Sequence, residues 1–394
     1  MSTLRETGPG LAEAGLVAPV AQSHAANLAV LPDGDLGCVW FGGTQEGVHD
    51  IRIWFARLAQ DGTTWSDPVA LTDDPERSEQ NPLLFHAPDD SLWLFWTAQH
   101  AGRQDTAEVR VRRSTDSGRS WDEPRVLLPA DEVGGVFIRQ PVQVTAEGTW
   151  LLPSFSCRAP ATGTWSGGED TSAVYASTDG GTSWSRHDVP GSRGAVHMNV
   201  LPAEDGYLAL YRSRFADAIH ASTSPDGVRW TKPVPTALPN NNSSVQATRL
   251  RDGRLALVYN ASSAADASHR RAGLYDEVDE HGALGGRERP AVAVDRDTSG
   301  QAEDRQAFWG APRAPIALAT SADDGRSWQR HPDLAQGEGT CLTNNSRDGL
   351  NRELSYPSIV QDARGRVHVA YTRHRSSIRH VRIEPDWPGW QETR

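Results

Sequence analysis

The sequence predicts an all-β fold, a six-bladed β-propeller, from three observations. The frame S-x-D-x-G-x-x-W occurs at 114–121, 177–184 and 321–328, and two degenerate copies end at Trp65 and Trp230. Around these copies, an apolar run, a turn and a second apolar run recur at wide, similar spacing. Six such units, none of which can bury both of its faces alone, are typical of sheets packed radially in a ring.

Each position of the repeated frame has a structural role. In 177–184, Asp179 can accept hydrogen bonds from backbone N–H groups of a tight turn, and Gly181 can supply a positive φ. Trp184 can then cover the turn with a large apolar surface. We therefore expect the repeated turns to be scaffold that takes no part in any chemistry.

The predicted blades follow one another along the chain. Their first two strands lie within 28–41, 81–96, 141–153, 198–211, 245–259 and 356–371. Ring closure requires the last blade to be completed from elsewhere, and Leu16–Val20 is expected to add its outer strand, which would remove an exposed sheet edge. The prediction is one domain over 16–390, preceded by a flexible N-terminus at 1–15.

One segment interrupts this rhythm. Residues 261–314 fall between the second and third strands of the fifth blade, are charged and rich in glycine, and have one aromatic focus at Phe308-Trp309. Long insertions of this kind are usually functional lids or disordered loops. The sequence leaves both interpretations open.

The composition argues against several classes of function. The formal net charge of −12 is unsuited to nucleic-acid binding, which requires a basic surface. The three cysteines, Cys38, Cys157 and Cys341, lack the spacing of metal ligands, and we expect no metal or other cofactor. No stretch resembles a signal peptide or reaches membrane-spanning length, so a cytoplasmic protein without membrane contact is expected.

Polar residues converge on one rim of the predicted ring. The inner strands of a propeller start around a central shaft, and the loops after the second strands face the same rim. The residues that open the units are His24, Asn81, Arg139, His197, Asn242 and Tyr356, and the loop residues are Glu46, His49, Asp50, Arg158, Arg212, Arg373 and Arg375. Polar residues open strands in many proteins, but this density of His, Arg and Tyr in an acidic chain favours a functional site.

These motifs resemble the sialidase superfamily. The repeated turns are similar to its Asp-box, or BNR, repeats, and Ser355-Tyr356-Pro357-Ser358 resembles the strand that carries its nucleophilic tyrosine. The pattern from His24 through Pro32-Asp33-Gly34 to Asp50 looks like the first blade of BNR-type neuraminidases. The resemblance spans about Ser23 to Trp387 and implies the propeller fold.

The resemblance also indicates where this chain departs from a sialidase. Tyr356 matches the tyrosine, and Asp50 could match the acid/base aspartate. In contrast, His24 stands where the family has an arginine that binds the sugar carboxylate, and Ser243-Ser244 stand where the glutamate partner of the tyrosine is expected. A further arginine of the family is replaced near Asn260. Ordinary hydrolysis of sialic acid is therefore not the leading expectation.

The leading hypothesis is an enzyme that acts on an acidic sugar, a uronic acid, by β-elimination. Tyr356 and either His24 or His197 would exchange protons, and arginines would bind the carboxylate, with Arg139, Arg212 and Arg373 as the first candidates. Some propeller polysaccharide lyases resemble this chain in having His, Tyr and Arg sites.

Two alternatives stay open. One is an exo-glycosidase in which Asp50 is the acid/base and Tyr356 the nucleophile, with Glu46 or Glu353 assisting. The other is a propeller that binds glycans without turnover, for which Trp309 could provide an aromatic platform.

Overall fold

The chain folds into six antiparallel sheets arranged as the blades of a propeller. The structure, a computed structural model, describes residues 2–100, 102–159, 165–279, 283–285, 291–294 and 305–391. Strands account for 48% of the residues and helices for 2%, which confirms the predicted all-β, six-bladed fold. In the described part of the chain the helices are short 3₁₀ turns at Gln104–Thr106, Ala264–Asp266 and Pro388–Trp390.

Consecutive strands run from the central axis outward in each blade. Blade one contains Gln22–Val30, Leu36–Gly43, Arg52–Leu58, Thr64–Trp65 and Val69–Ala70. Blade two contains Arg77–His86, Leu92–His100, Glu108–Ser114 and Arg125–Leu128. Blade three contains Gly135–Ile138, Gln143–Val144, Trp150–Cys157, Thr171–Ser177 and Ser185–Asp188. Blade four contains Ala195–Ala203, Gly206–Ser213, Ala218–Ser224 and Val234–Pro239. Blade five contains Gln246–Arg249, Leu255–Asn260, Ile316–Ser321 and Gln329–Arg330. Blade six contains Leu354–Gln361, Val367–Arg373 and Ser377–Ile383.

The repeated turns have the predicted hydrogen bonds. Asp179 Oδ1 accepts from the Ser183 backbone N–H at 2.9 Å, and Asp179 Oδ2 accepts from the Ser183 hydroxyl at 2.6 Å. The Ser177 hydroxyl donates to Asp179 at 2.8 Å and accepts from the Gly181 N–H at 2.9 Å, where φ is 83°. The bonds from Ser183 lower the pKa of Asp179 to about 2. The turn therefore uses the charged carboxylate as its hydrogen-bond acceptor.

The tryptophans of these turns are covered to different degrees. Trp65 and Trp230 are buried, whereas Trp121, Trp184 and Trp328 are half-buried. All five pack against apolar clusters of the blades.

Side chains of the inner strands join neighbouring blades. At four of the seams a side-chain oxygen of one inner strand accepts a hydrogen bond from a backbone N–H of the next inner strand. These bonds join Asn27 to Leu84 at 2.9 Å, Asn199 to Ala247 at 2.6 Å, Gln246 to Ile359 at 2.8 Å and Ser358 to Leu28 at 2.9 Å. The orientation of each inner strand is thereby coupled to that of its neighbour.

The ring is closed by the N-terminus, but not by the predicted segment. Leu11–Leu16 pairs with Ser377–Ile383 as the fourth strand of blade six, and Arg5–Gly8 pairs outside it. Ser2–Thr3 pairs with Thr64–Trp65 of blade one. The expected outer strand at Leu16–Val20 was thus placed too late, and residues 2–15 are part of the sheets; Met1 lies outside the described residues. The strand was missed because its buried side chains alternate as Ala12, Ala14 and Leu16, a pattern with little apolar bulk.

A chain of buried side chains lies at the seam where blade six meets blade one. Trp65 Nε1 donates to His380 Nδ1 at 3.2 Å, the facing nitrogens of His380 and His368 are 3.0 Å apart, and His368 Nε2 lies 3.2 Å from Asp362 Oδ2. The Trp65 indole can only donate a hydrogen bond, so His380 accepts on Nδ1 and carries its own proton on Nε2. His380 Nε2–H then donates to His368 Nδ1, and His368 Nε2–H donates to Asp362. Both imidazoles are therefore neutral, and each accepts on Nδ1 and donates through Nε2.

The insertion leaves blade five after Asn260 and returns at Ile316. Its described residues include a two-stranded ladder of His269–Arg270 with Val292–Ala293. The Phe308 N–H donates to the Arg214 carbonyl at 2.8 Å, so this part of the insertion packs on blade four. Residues 280–282, 286–290 and 295–304 of the predicted insertion lie outside the described residues. Over the described chain, no helix has the length and apolar character needed to cross a membrane.

Candidate active site

The inner strands share a backbone feature at the rim. Ala25, Asn81, His197, Asn242 and Tyr356 have positive φ values of 58°, 49°, 53°, 57° and 52°. The ladder register shifts beside His24, His197 and Tyr356, as it does at a β-bulge. A bulge re-aims a side chain relative to its strand. Because such backbone conformations are rare for residues other than glycine, their recurrence at this rim indicates a functional constraint.

Tyr356 lies at the centre of the cluster. Its phenol oxygen accepts a hydrogen bond from Arg212 Nη1 at 2.5 Å. The guanidinium carbons of Arg139, Arg212 and Arg313 lie 5.4, 5.5 and 5.6 Å from the centre of the Tyr356 ring. A cation beside the phenol oxygen stabilises negative charge that develops there.

Two of these arginines lack an acidic partner. Arg139 donates to the carbonyl oxygens of Ala26 and Tyr356 at 2.9 and 3.1 Å, and Arg212 Nε donates to Asn242 Oδ1 at 2.8 Å. Within the described residues neither forms an ion pair with a carboxylate, although both are at most 2% exposed. Burial lowers the pKa of Arg139 to about 10 and that of Arg212 to about 9. An anionic ligand would offset this cost.

The two histidines beside Tyr356 are buried and neutral. The ring centre of His24 lies 4.3 Å from that of Tyr356, and the ring centre of His197 lies 5.7 Å from it. Burial lowers the pKa of both well below the usual value; Arg375 adds to this effect at His24 and Arg212 adds to it at His197. In the part of the chain that the structure describes, neither nitrogen of His24 has a hydrogen-bond partner. A neutral imidazole with a free nitrogen can accept a proton.

A buried carboxylate, Glu353, lies close to His24. Its Oε1 lies 3.8 Å from His24 Nδ1 and accepts from Arg313 at 3.0 Å, and its Oε2 accepts from Arg375 at 3.0 Å. Burial alone would raise the pKa of Glu353, but Arg375 and Arg313 hold it well below its usual value. Arg375 also donates to Glu46. Glu353 is thus a buried carboxylate held in place by two arginines.

The insertion contributes to the walls of the site. The Trp309 ring lies 5.8 Å from the Arg212 guanidinium and 5.2 Å from that of Arg214. The Phe308 carbonyl accepts from Asn242 Nδ2 at 2.8 Å. Arg214 forms a buried ion pair with Asp170 at 2.7 Å. This part of the insertion, left open as lid or disordered loop, is packed against the site.

Eight of the residues predicted from the sequence are joined by these contacts: Tyr356, His24, His197, Arg139, Arg212, Arg375, Asn242 and Glu46. Asn81 is buried at the same rim with the same positive φ.

The other predicted residues do not join the Tyr356 cluster. Asp50 is exposed and accepts from the Thr44 N–H at 3.0 Å, so its carboxylate holds a loop. His49 is half-buried beside it, and Arg158 and Arg373 are exposed. They were chosen because they follow second strands, and loop side chains at a rim can point outward as readily as inward.

Sequence reasoning missed Arg313, whereas Arg214 belongs to the rim segment 212–214 that was expected from the sequence. Arg313 comes just before the third strand of blade five, and Arg214 follows the second strand of blade four. A lone arginine in the apolar, proline-containing run 311–316 was the available signal for Arg313. Among the described residues, no group of three or more His, Cys, Asp or Glu side chains could hold a metal ion.

Comparison with known families decides the classification. A family model for the BNR repeat-like domain matches residues 34–369. The chain belongs to the BNR repeat-like domain family. No curated protein matches it by sequence.

Solved structures extend the comparison of this BNR repeat-like chain. The Hadza microbial sialidase Hz136 has a TM-score of 0.64 and 15% identity, over 93% of this chain and 66% of its own. A protein of unknown function from Dyadobacter fermentans has a TM-score of 0.64 and 16% identity, over 96% of this chain and 100% of its own. The Trypanosoma rangeli sialidase in complex with 2,3-difluorosialic acid has a TM-score of 0.62 and 13% identity, over 97% of this chain and 59% of its own. The chain thus spans less than two thirds of the length of either sialidase.

At these identities the structural likeness concerns the fold alone. It confirms the resemblance to the sialidase superfamily at that level. This likeness does not select between a lyase and a hydrolase.

Proposed function

We propose that this protein is an enzyme that acts on a uronic acid in a glycan or glycoside and cleaves it by β-elimination. The observation that carries the proposal is a pair of buried arginines next to Tyr356, Arg139 and Arg212, which have no acidic partner among the described residues. Guanidinium groups bind carboxylates through charge-assisted hydrogen bonds. The acidic group of the sugar would supply the missing anion.

The neighbouring groups support elimination. Binding of the carboxylate by arginine would acidify the proton on the adjacent carbon, C5 of a uronic acid. His24 would accept that proton through a free ring nitrogen, and Glu353, 3.8 Å away, would stabilise the imidazolium formed. The electrons of the C5–H bond would form the C4=C5 double bond as the C4–O4 bond breaks.

The departing oxygen needs a proton, and Tyr356 is placed to provide it. Its phenol would protonate O4, and the hydrogen bond from Arg212 would stabilise the phenolate that remains. Transfer of the proton from His24 to Tyr356, whose rings lie 4.3 Å apart, would restore both groups. No carboxylate of the described residues hydrogen-bonds to the phenol oxygen, in contrast to the glutamate-assisted tyrosine implied by the sialidase resemblance.

The test is incubation with uronate oligosaccharides. Elimination yields an unsaturated, UV-absorbing sugar, and we expect Tyr356→Phe to lower kcat by at least about a hundredfold while binding largely survives. Tyr175→Phe is the matched control, since Tyr175 is also 8% exposed but lies on the outer part of blade three. Unchanged turnover in Tyr356→Phe would contradict the proposal.

A second candidate is an exo-glycosidase with Tyr356 as the nucleophile. It is favoured by the position of Tyr356 on the inner strand of blade six and by the arginine on its oxygen, which would also assist attack by a phenolate. The same incubation separates the candidates, because hydrolysis yields a new reducing end without UV absorption. Sugar binding with neither product would instead favour a non-catalytic glycan-binding propeller.

A further inference from the structure

A groove of about 470 Å³ lies between blades five and six. Its lining includes the loop 334–338 after blade five and the ends of strands in blade six. The volume falls in the range of about 300–1,000 Å³ that is usual for ligand sites. The charged and titratable groups of the lining are Arg352, Arg373, His374, Arg379, Glu13, Glu338 and Tyr371.

The cations of this groove are incompletely neutralised. Arg379 lies 3.8 Å from Glu13. Within the described residues, Arg352 and Arg373 have no carboxylate within ion-pair distance, and Glu338 pairs with no arginine. By contrast, the surrounding protein carries a formal net charge of −12. Two unpaired guanidinium groups in one concave surface are suited to binding an anion.

The backbone joins residues that line the groove to Glu353 of the central site. Arg352 immediately precedes Glu353, and the His374 N–H donates to the Glu353 carbonyl at 2.7 Å. Arg352 Nη1 lies 3.4 Å from His374 Nδ1. Burial lowers the pKa of His374, and the positive charges of Arg373 and Arg352 lower it further. The three side chains are therefore close enough to interact electrostatically.

We propose that this groove is a second subsite, which binds an anionic group on the sugar next to the one held at Tyr356. The inference rests on the proposed function, since it takes the reacting uronic acid as the first sugar. Arg352 and Arg373 would bind the second anion, a carboxylate or a sulfate, and the preferred substrate would be a chain with acidic groups on successive sugars. Arg373, chosen from the sequence as a carboxylate binder, would then serve the neighbouring sugar.

The test compares ligands of increasing length. Affinities are measured calorimetrically in the full-length Tyr356→Phe protein, which limits turnover, for a methyl uronoside and for a uronate tetrasaccharide. The double variant Arg352→Gln/Arg373→Gln is made in the same background. The control is Arg326→Gln/Arg347→Gln, which removes two exposed arginines that do not line the groove.

The expected result is a loss of about tenfold in tetrasaccharide affinity in the groove variant, with the monosaccharide affinity unchanged. That loss corresponds to roughly 0.7 kcal/mol for each exposed arginine contact. It should shrink in high salt, because exposed charges are screened. The control variant should bind both ligands as the parent does. A uronate chain with a sulfate on the second sugar distinguishes the two anions, since the larger loss identifies the group that the groove binds.

Three outcomes would overturn the inference. The first is equal affinity in the groove variant and the parent, both for the uronate tetrasaccharide and for the uronate chain that carries a sulfate. The second is an equal loss for the monosaccharide, which would place the effect in the central site. The third is an absence of uronoside binding to any variant, which would remove the proposed function and the second subsite with it. Only the third outcome lacks monosaccharide binding, so failure of the groove alone is recognisable.

Discussion

Stability should fall steeply when the pH is lowered from 7.5 to 5.5. Four buried histidines, His24, His197, His368 and His380, have pKa values lowered by burial. In the unfolded chain a histidine has a pKa of about 6.5. Below that pH the unfolded chain binds protons that the folded chain excludes, so the free energy of unfolding decreases as the pH falls.

The magnitude follows from proton linkage. Between pH 6.5 and 5.5 each neutral, buried histidine lowers the free energy of unfolding by about 1 kcal/mol, and four lower it by about 4 kcal/mol. Glu79, whose pKa burial raises to about 7, acts in the opposite direction and offsets about 1 kcal/mol of this loss, which leaves about 3 kcal/mol. That is a large part of the 5–15 kcal/mol typical of folded proteins. Carboxylates with lowered pKa values, such as Asp362 and Glu353, add to the loss only when the pH approaches about 4.

His380→Leu isolates one of the four contributions. The variant starts less stable, because Trp65 and His368 lose a hydrogen-bond partner, but its pH slope should be about a third smaller than that of the parent. Urea unfolding at half-unit pH steps measures both quantities. His100→Leu, at an exposed position, is the control and should keep the parent slope. The reasoning is refuted if the parent loses less than about 1 kcal/mol from pH 6.5 to 5.5, or if His380→Leu keeps the full slope.

Two further predictions concern the scaffold and the central ion pairs. Asp179→Ala should lower the melting temperature and leave the kcat of the folded fraction unchanged, because Asp179 bonds only within its own turn; a matching loss of kcat would contradict its role as scaffold. Glu353→Gln should cost about 3–5 kcal/mol in urea unfolding, because Arg313 and Arg375 would be left buried with less compensation. Glu76→Gln, at an exposed position, should cost less than about 0.5 kcal/mol, and an equal cost for both would refute the account.

The sequence predicted the fold well because its signal is local and repeated. Each turn frame fixes one Asp, one Gly and one Trp through contacts within a few residues, as 177–184 illustrates. The N-terminal strands carry no such signal. Ala12 and Ala14 bury little area, and their partner strand, Ser377–Ile383, lies at the far end of the chain.

The described contacts join the candidates on the inner strands, but only some of those in the loops after the second strands: Glu46 and Arg375 join the Tyr356 cluster and Asp50 does not. Tyr356, His24 and His197 open inner strands, whose direction toward the shaft follows from the architecture. Asp50 and Arg373 lie where a strand has ended, and there the path of the backbone decides where a side chain points. The role of Arg313 depends on how the insertion returns to blade five, which the sequence pattern does not specify.

The closure of the ring also has a consequence for the order of synthesis. The strand Leu11–Leu16 is made before the six inner strands, and its partner Ser377–Ile383 is made after them. A nascent chain can form blades two to five as they emerge, but the sixth sheet cannot be completed until Ser377–Ile383 has been made. Until then Ser2–Thr3 can hold the N-terminal segment against blade one through its pairing with Thr64–Trp65. The first blade would thus keep the closing strand in place until the last blade is made.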